Sequence, residues 1–234
     1  MDDSQERINK RRLAEMRRLA DTINVTVGEG EQSKEAKLIP KPLFRFSDPS
    51  RTYLHGSVWA WAVAGRRVIM AEFRSEGRDS GVWGHDVVAT SDVRLSAEVA
   101  GHGRWSPRET DFKLMRVPDI VPPAKTEAGR LRQMKQFARS LSASEIRRGQ
   151  RYELRLLPTE VYRYSDPASG LIDGGAFAFV VGNNPEAILF VEAHKPDSGL
   201  GAPGSWKYGS RSPSAPTGCG SRPIWTAGQA TPTG

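Results

Sequence analysis

The sequence predicts an α+β protein of two tandem repeats, each an N-terminal amphipathic helix followed by an antiparallel β-meander, with a disordered C-terminal tail. Three observations carry this. The chain matches itself at one fixed offset, each matching segment opens with a helical apolar stripe, and the segments that follow alternate aromatic and small or polar residues.

The self-match is clearest where Phe44-Arg45-Phe46-Ser47-Asp48-Pro49 lies over Tyr162-Arg163-Tyr164-Ser165-Asp166-Pro167, an offset of 118 residues. At the same offset Leu38-Ile39-Pro40 falls on Leu156-Leu157-Pro158. Gly56 falls on Gly174, and Trp59-Ala60-Trp61 on Phe177-Ala178-Phe179. Upstream, Arg12-Leu13 meets Arg130-Leu131, Met16 meets Met134 and Ala20 meets Ala138. Downstream, Ile69-Met70-Ala71-Glu72 resembles Leu189-Phe190-Val191-Glu192 with two extra residues in the second copy.

These matches give the expected organisation: residues 5–117 as the first unit, 118–124 as a Pro-rich linker, 125–208 as a second unit, and 209–234 as tail. Ile8, Leu13, Met16 and Ala20 recur at helical spacing, as do Ala128, Leu131, Met134, Ala138 and Leu141. One apolar face per helix must pack on the strands that follow. Those strands are expected at 36–39 and 152–156, at 44–46, at 56–63 and 175–181, and at 68–71 and 187–191. Two more are expected in the first unit alone, at 82–89 and 93–99, with a short one near 112–115. The tail is rich in Gly, Ser, Pro and Thr, so the second copy is expected to be truncated there, with an exposed sheet edge.

Composition narrows the function classes. The net charge is +7, which raises nucleic acid as a partner, yet Glu6, Glu15 and Asp21 dilute the basic run Arg7 to Arg18. The only cysteine is Cys219, so neither an internal disulfide nor a Cys-based zinc site can form. No apolar run reaches the roughly 18 residues of a membrane-spanning helix, and the charged start lacks an apolar leader core. The expected compartment is cytoplasmic, with an exported mature form as the alternative.

Candidate ligand-binding residues are Arg45, Ser47 and Asp48 with their counterparts Arg163, Ser165 and Asp166. Turn chemistry explains the same residues, because Asp accepts from the backbone two positions on and Pro presets φ. His55 aligns with Asp173, two residue types that ligate metals, but no cluster with ligand spacing surrounds either. His85, His102 and His194 have no oriented partner visible in the sequence. Trp83 and Trp105 are candidates for an aromatic binding face, whereas Trp59 and Trp61 read as core because Phe177 and Phe179 replace them. The sequence carries no nucleophile elbow, phosphate loop or HExxH motif.

No catalytic residue, cofactor or metal site is therefore assigned. The expected function is a non-catalytic binding or scaffold protein, with a protein, small-molecule or glycan ligand. A divergent hydrolase-like or metal-dependent enzyme, near Asp48, His55 or His85, is the alternative, and an electrostatic nucleic-acid binder is a third.

Overall fold

Long apolar strands flanked by glycine turns build two curled antiparallel sheets, each with one helix. The computed structural model describes residues 3–75, 82–107, 112–117, 121–196, 203–213 and 224–227. The chain divides into two compact units, Met1–Phe112 and Lys113–Gly234.

Unit 1 runs α1 (Asp3–Asp21), β1 (Ile23–Val27), β2 (Lys34–Leu38), β3 (Phe44–Asp48), β4 (Tyr53–Val63), β5 (Arg66–Ser75), β6 (Trp83–Ala89), β7 (Leu95–Val99) and β8 (Gly103–Trp105). Its sheet has the order β6-β5-β4-β2-β1-β7-β8, with β3 paired to β4 beside this path. Met16 and Ala20 of α1 pack with Ile23, Val25, Trp59, Trp61, Ile69, Phe73 and Leu95 into one core. Trp59 and Trp61 are each 1% exposed, and their indole N–H groups donate to Ser57 Oγ (2.8 Å) and Ile23 O (3.2 Å). A buried indole needs such a partner, so the Trp pair is core with its polar atoms satisfied.

Unit 2 runs β9 (Met115–Arg116), α2 (Glu127–Arg139), β10 (Leu141–Arg147), β11 (Gln150–Leu156), β12 (Tyr162–Asp166), β13 (Leu171–Val181), β14 (Asn184–His194), β15 (Ser205–Arg211) and β16 (Ile224–Ala227). Its sheet order is β16-β10-β11-β13-β14-β15-β9, with β12 on β13. Thr126 caps α2 by accepting from the Gly129 N–H. Met134 and Ala138 then pack on Phe177, Phe179, Leu189 and Val191.

Several expectations change. The sheets are not simple meanders: β7 and β16 each return to pair with the strand that follows the helix of their unit, β1 and β10. Strands β1 and β10 were not anticipated, because Ile23–Val27 is short and Leu141 continued the helical stripe. The helix stops at Arg139, where Ser140 donates back to the Phe137 carbonyl, and Leu141 opens β10 instead. Ile8 sits at 42% exposure, outside the core stripe. Met115–Arg116 is strand, as expected near there, but pairs with β15 in unit 2. The anticipated truncation of the second copy does not hold. Gly209–Arg211 continue β15 against Phe190–Ile188, and Ile224–Ala227 pair with Ser144–Leu141. The rest of the tail, and Pro118–Ile120 of the linker, lie outside the described residues.

The matched aromatic and glycine have a physical cause. Phe46 is opposite Gly56 in the β3–β4 ladder, and Tyr164 is opposite Gly174 in β12–β13. Each ring lies flat over its glycine. A Cβ on Gly174 would stand 2.6 Å from the Tyr164 ring, and one on Gly56 would overlap Phe46. Gly56→Ala is expected to cost about 1–3 kcal/mol by forcing Phe46 off its seat. Thermal denaturation of the variant checks this; a loss below about 0.5 kcal/mol, the range of an innocuous surface change, would mean the ring moves aside freely.

Candidate functional site

The residues singled out in the sequence separate into three groups once placed. The first is used up by turns. Asp48 caps the 3-10 turn Pro49–Arg51, accepts from Ser50 N (3.1 Å) and pairs with Arg51 Nε (3.3 Å). Arg45 is exposed and Ser47 half-buried on β3; Ser165 is exposed, and Asp166 begins the turn at Pro167–Ser169. His55 is half-buried on β4, and its backbone N–H donates to Ser75 Oγ.

The second group clamps unit 2 together. Asp173, 4% exposed, accepts from Arg130 Nε (2.9 Å) through Oδ2 and from Arg163 Nε (2.9 Å) and Nη2 (2.7 Å). Arg130 also donates to the carbonyls of Ala124 and Lys125, and Arg163 to that of Glu127. One buried carboxylate thus ties the start of α2 to β12 and β13. Arg163 pairs with Asp173 and not with its neighbour Asp166. In unit 1 the matching position is His55, and Arg12 bonds Glu15 instead (3.0 Å).

The third group forms a seam in unit 1. β6 and β8 are the two ends of the curled sheet and share no ladder among the described residues. Their side chains nonetheless come together. The His85 ring on β6 meets His102 from the β7–β8 turn edge-on, with centroids 4.7 Å apart. Trp83 and Trp105, both half-buried, pack against the same core from β6 and β8. The Arg12 guanidinium lies 5.8 Å from the Trp83 ring centre. Burial, and after it the charge of His102, holds His85 below the ordinary imidazole value, so it is a neutral hydrogen-bonding ring at neutral pH. The seam gathers two half-buried indoles and two imidazoles, with the buried Arg12 guanidinium against Trp83. That set suits a ligand with a flat or ring-shaped apolar face and polar edges.

No family model, curated protein or solved structure matches the chain.

Two further residues were not nominated from the sequence, although the repeat displayed both. Glu72 on β5 and Glu192 on β14 are 4% and 0% exposed. In unit 1, Arg74 Nη1 bonds Glu72 (3.4 Å) and Asp86 (2.6 Å), and lies over Tyr53. Burial pushes Glu72 up to about 7, against the pull of Arg74. In unit 2, Glu192 accepts from Tyr164 Oη (3.0 Å) and contacts His194 Nε2 (2.9 Å). A glutamate retained in the middle of two apolar strands was the available signal, since an unpaired buried carboxylate is costly.

Among the described residues no group of three or more His, Cys, Asp or Glu side chains is placed to hold a metal ion. The charges of α1 are arranged as i,i+4 pairs, Lys10 with Glu6 (2.8 Å), Arg11 with Glu15 (3.4 Å) and Arg17 with Asp21 (3.0 Å). Such pairing is the pattern of a solvated helix face. Among the described residues no helix is long and apolar enough to cross a membrane.

Proposed function

We propose that this protein arose by internal duplication and is a binding protein whose first unit holds a small-molecule or glycan ligand, without transforming it, at the β6/β8 seam. The duplication is supported by the strand orders: β6-β5-β4-β2-β1-β7 and β15-β14-β13-β11-β10-β16 follow the same sequence of elements, each with its helix in front. The binding reading rests on one observation. Trp83 and His85 on β6 and His102 and Trp105 at β8 come from opposite ends of the sheet, which share no ladder among the described residues, and the two imidazoles meet. Trp59, Trp61, Phe177 and Phe179 of the two cores are each 1% exposed, whereas Trp83, His85 and Trp105 are half-buried and His102 is exposed. Large half-buried aromatics beside polar groups are the usual furniture of a ligand site.

Titration of intrinsic tryptophan fluorescence with a panel of oligosaccharides and aromatic small molecules tests this. One class is expected to saturate, and Trp105→Ala to weaken that class by about tenfold, the worth of one aromatic contact. A panel with no saturating member, or a ligand indifferent to Trp83→Ala and Trp105→Ala, defeats the reading.

A further inference from the structure

We infer that Ser205 of unit 2 is a reactive nucleophile, with His194 as its base and Glu192 and Tyr164 as positioning residues, suited to short acyl esters. This goes beyond the binding reading and is independent of it, since it concerns unit 2 alone.

Glu72 and Glu192 are buried at matching places in the two units. Position for position, the surroundings of Glu72 and Glu192 differ. Phe46 is replaced by Tyr164, Arg74 by His194, Asp86, which faces Glu72 across the β5–β6 ladder, by Lys207, which faces Glu192 across β14–β15, and Gly84, which faces Arg74, by Ser205, which faces His194. In unit 1 the result is an ion cluster in which Arg74 occupies the carboxylate, with no hydroxyl opposite it. In unit 2 the result is a chain of polar groups ordered Tyr164, Glu192, His194, Ser205.

Each link has the chemistry required of a nucleophile–base–orienter set. Tyr164 Oη donates to Glu192 Oε1 at 3.0 Å, fixing the carboxylate. Glu192 Oε2 lies 2.9 Å from His194 Nε2. A carboxylate only accepts, so Nε2 carries a proton, and in the neutral imidazole Nδ1 keeps its lone pair. Directly opposite residues in an antiparallel pair have Cβ atoms about 4.5–5.5 Å apart on one face. Register sets Ser205 opposite His194; its Oγ makes no hydrogen bond to the ring in the structure, and Nδ1 is the nitrogen left to receive it.

Ser205 supplies the independent sign of function. It is 7% exposed, and its Oγ makes no hydrogen bond in the structure. An unsatisfied buried hydroxyl costs stability, and a catalytic role is one reason such a group persists. His194 is 8% exposed, and Leu171, fully buried, flanks it on the other side. With Ser205 7% and His194 8% exposed, only a short acyl group can be admitted.

The step balances without a cofactor. Ser205 Oγ attacks the ester carbonyl carbon and its proton passes to His194 Nδ1. The carbon–alkoxide bond breaks, and the leaving alcohol takes that proton. Water, deprotonated by the same nitrogen, then releases the acid and restores the hydroxyl.

The test is covalent labelling of the full chain with diisopropyl fluorophosphate, read by intact mass and peptide mapping. Attack forms the Oγ–phosphorus bond and expels fluoride. A single adduct on Ser205 is expected. His194→Gln is expected to slow labelling by about 10²-fold or more, and Glu192→Gln by a smaller factor, with circular dichroism unchanged. No adduct on the wild-type chain, an adduct elsewhere, or a Ser205 adduct formed equally fast in His194→Gln would overturn the inference. The wild-type measurement stands even if a variant misfolds.

Discussion

Asp173→Ala is expected to destabilise unit 2 by about 3–5 kcal/mol, the largest single effect in the protein. The carboxylate is 4% exposed and is the shared partner of Arg130 and Arg163. Its removal leaves the Arg130 guanidinium, whose side chain is 10% exposed, without its counter-charge. Arg163 is 30% exposed and can turn to water, so Arg163→Ala should cost far less. Asp173→Asn, which keeps shape but loses charge, should fall between them. Chemical denaturation with a probe in unit 2 checks the order. If all three variants lie within about 1 kcal/mol of wild type, the clamp is ornamental and the charges are better hydrated than their burial suggests.

Glu72→Gln is expected to raise stability above neutral pH and to leave it nearly unchanged near pH 5. Burial lifts Glu72 from its ordinary 4.5 to about 7, so the folded state binds its proton more tightly than the unfolded state. The sign follows from linkage: where the native state holds more protons, stability falls as pH rises. The loss begins above about 4.5, accumulates to about 7 and is then complete. Each decade is worth about 1.4 kcal/mol, so the full loss is about 3 kcal/mol. A glutamine cannot ionise and removes this slope, while Arg74 keeps Asp86 as its partner at 2.6 Å. Denaturation midpoints at pH 5, 6, 7 and 8 for wild type and variant provide the comparison. Parallel profiles would show that Glu72 stays ionised across the range.

Much of the fold was legible because the apolar pattern was strong where strands are long. Residues 56–63 and 175–181 read as strands from Trp59/Trp61 and Phe177/Phe179, and the structure places them in β4 and β13. The glycines at 56 and 174 were visible as matches, but their reason was not, because only the ladder puts Phe46 and Tyr164 over them. Strands β1 and β10 escaped notice since each follows its helix with hardly a break: Thr22 and Ser140 end the helices by local hydrogen bonds, without glycine or proline. The strand at 93–99 was legible, but its pairing with β1 was not, and β16 escaped notice altogether, because both find partners far back in the sequence.

Side-chain sites were harder. The Arg163–Asp173 pair had both members on the page, yet a neighbouring Asp166 competed for the same arginine. The His194–Glu192 spacing of two reads as ordinary strand alternation. Only the register with β15 brings Ser205 opposite, and no pattern within β14 announces it.

The short strand β9 has a practical meaning for anyone dividing this protein. Met115–Arg116 cover the outer edge of β15, the Val117 N–H continues that pairing to the Trp206 carbonyl (2.9 Å), and Val117 enters the unit 2 core. Trp206 in turn donates its indole proton to the Val121 carbonyl. The stretch that joins the halves is therefore owned by one of them. A fragment opening at Thr126 would carry a bare strand edge and a hole where Val117 had been, and would be prone to stick to its own kind. A fragment opening at Lys113 would take its edge guard along.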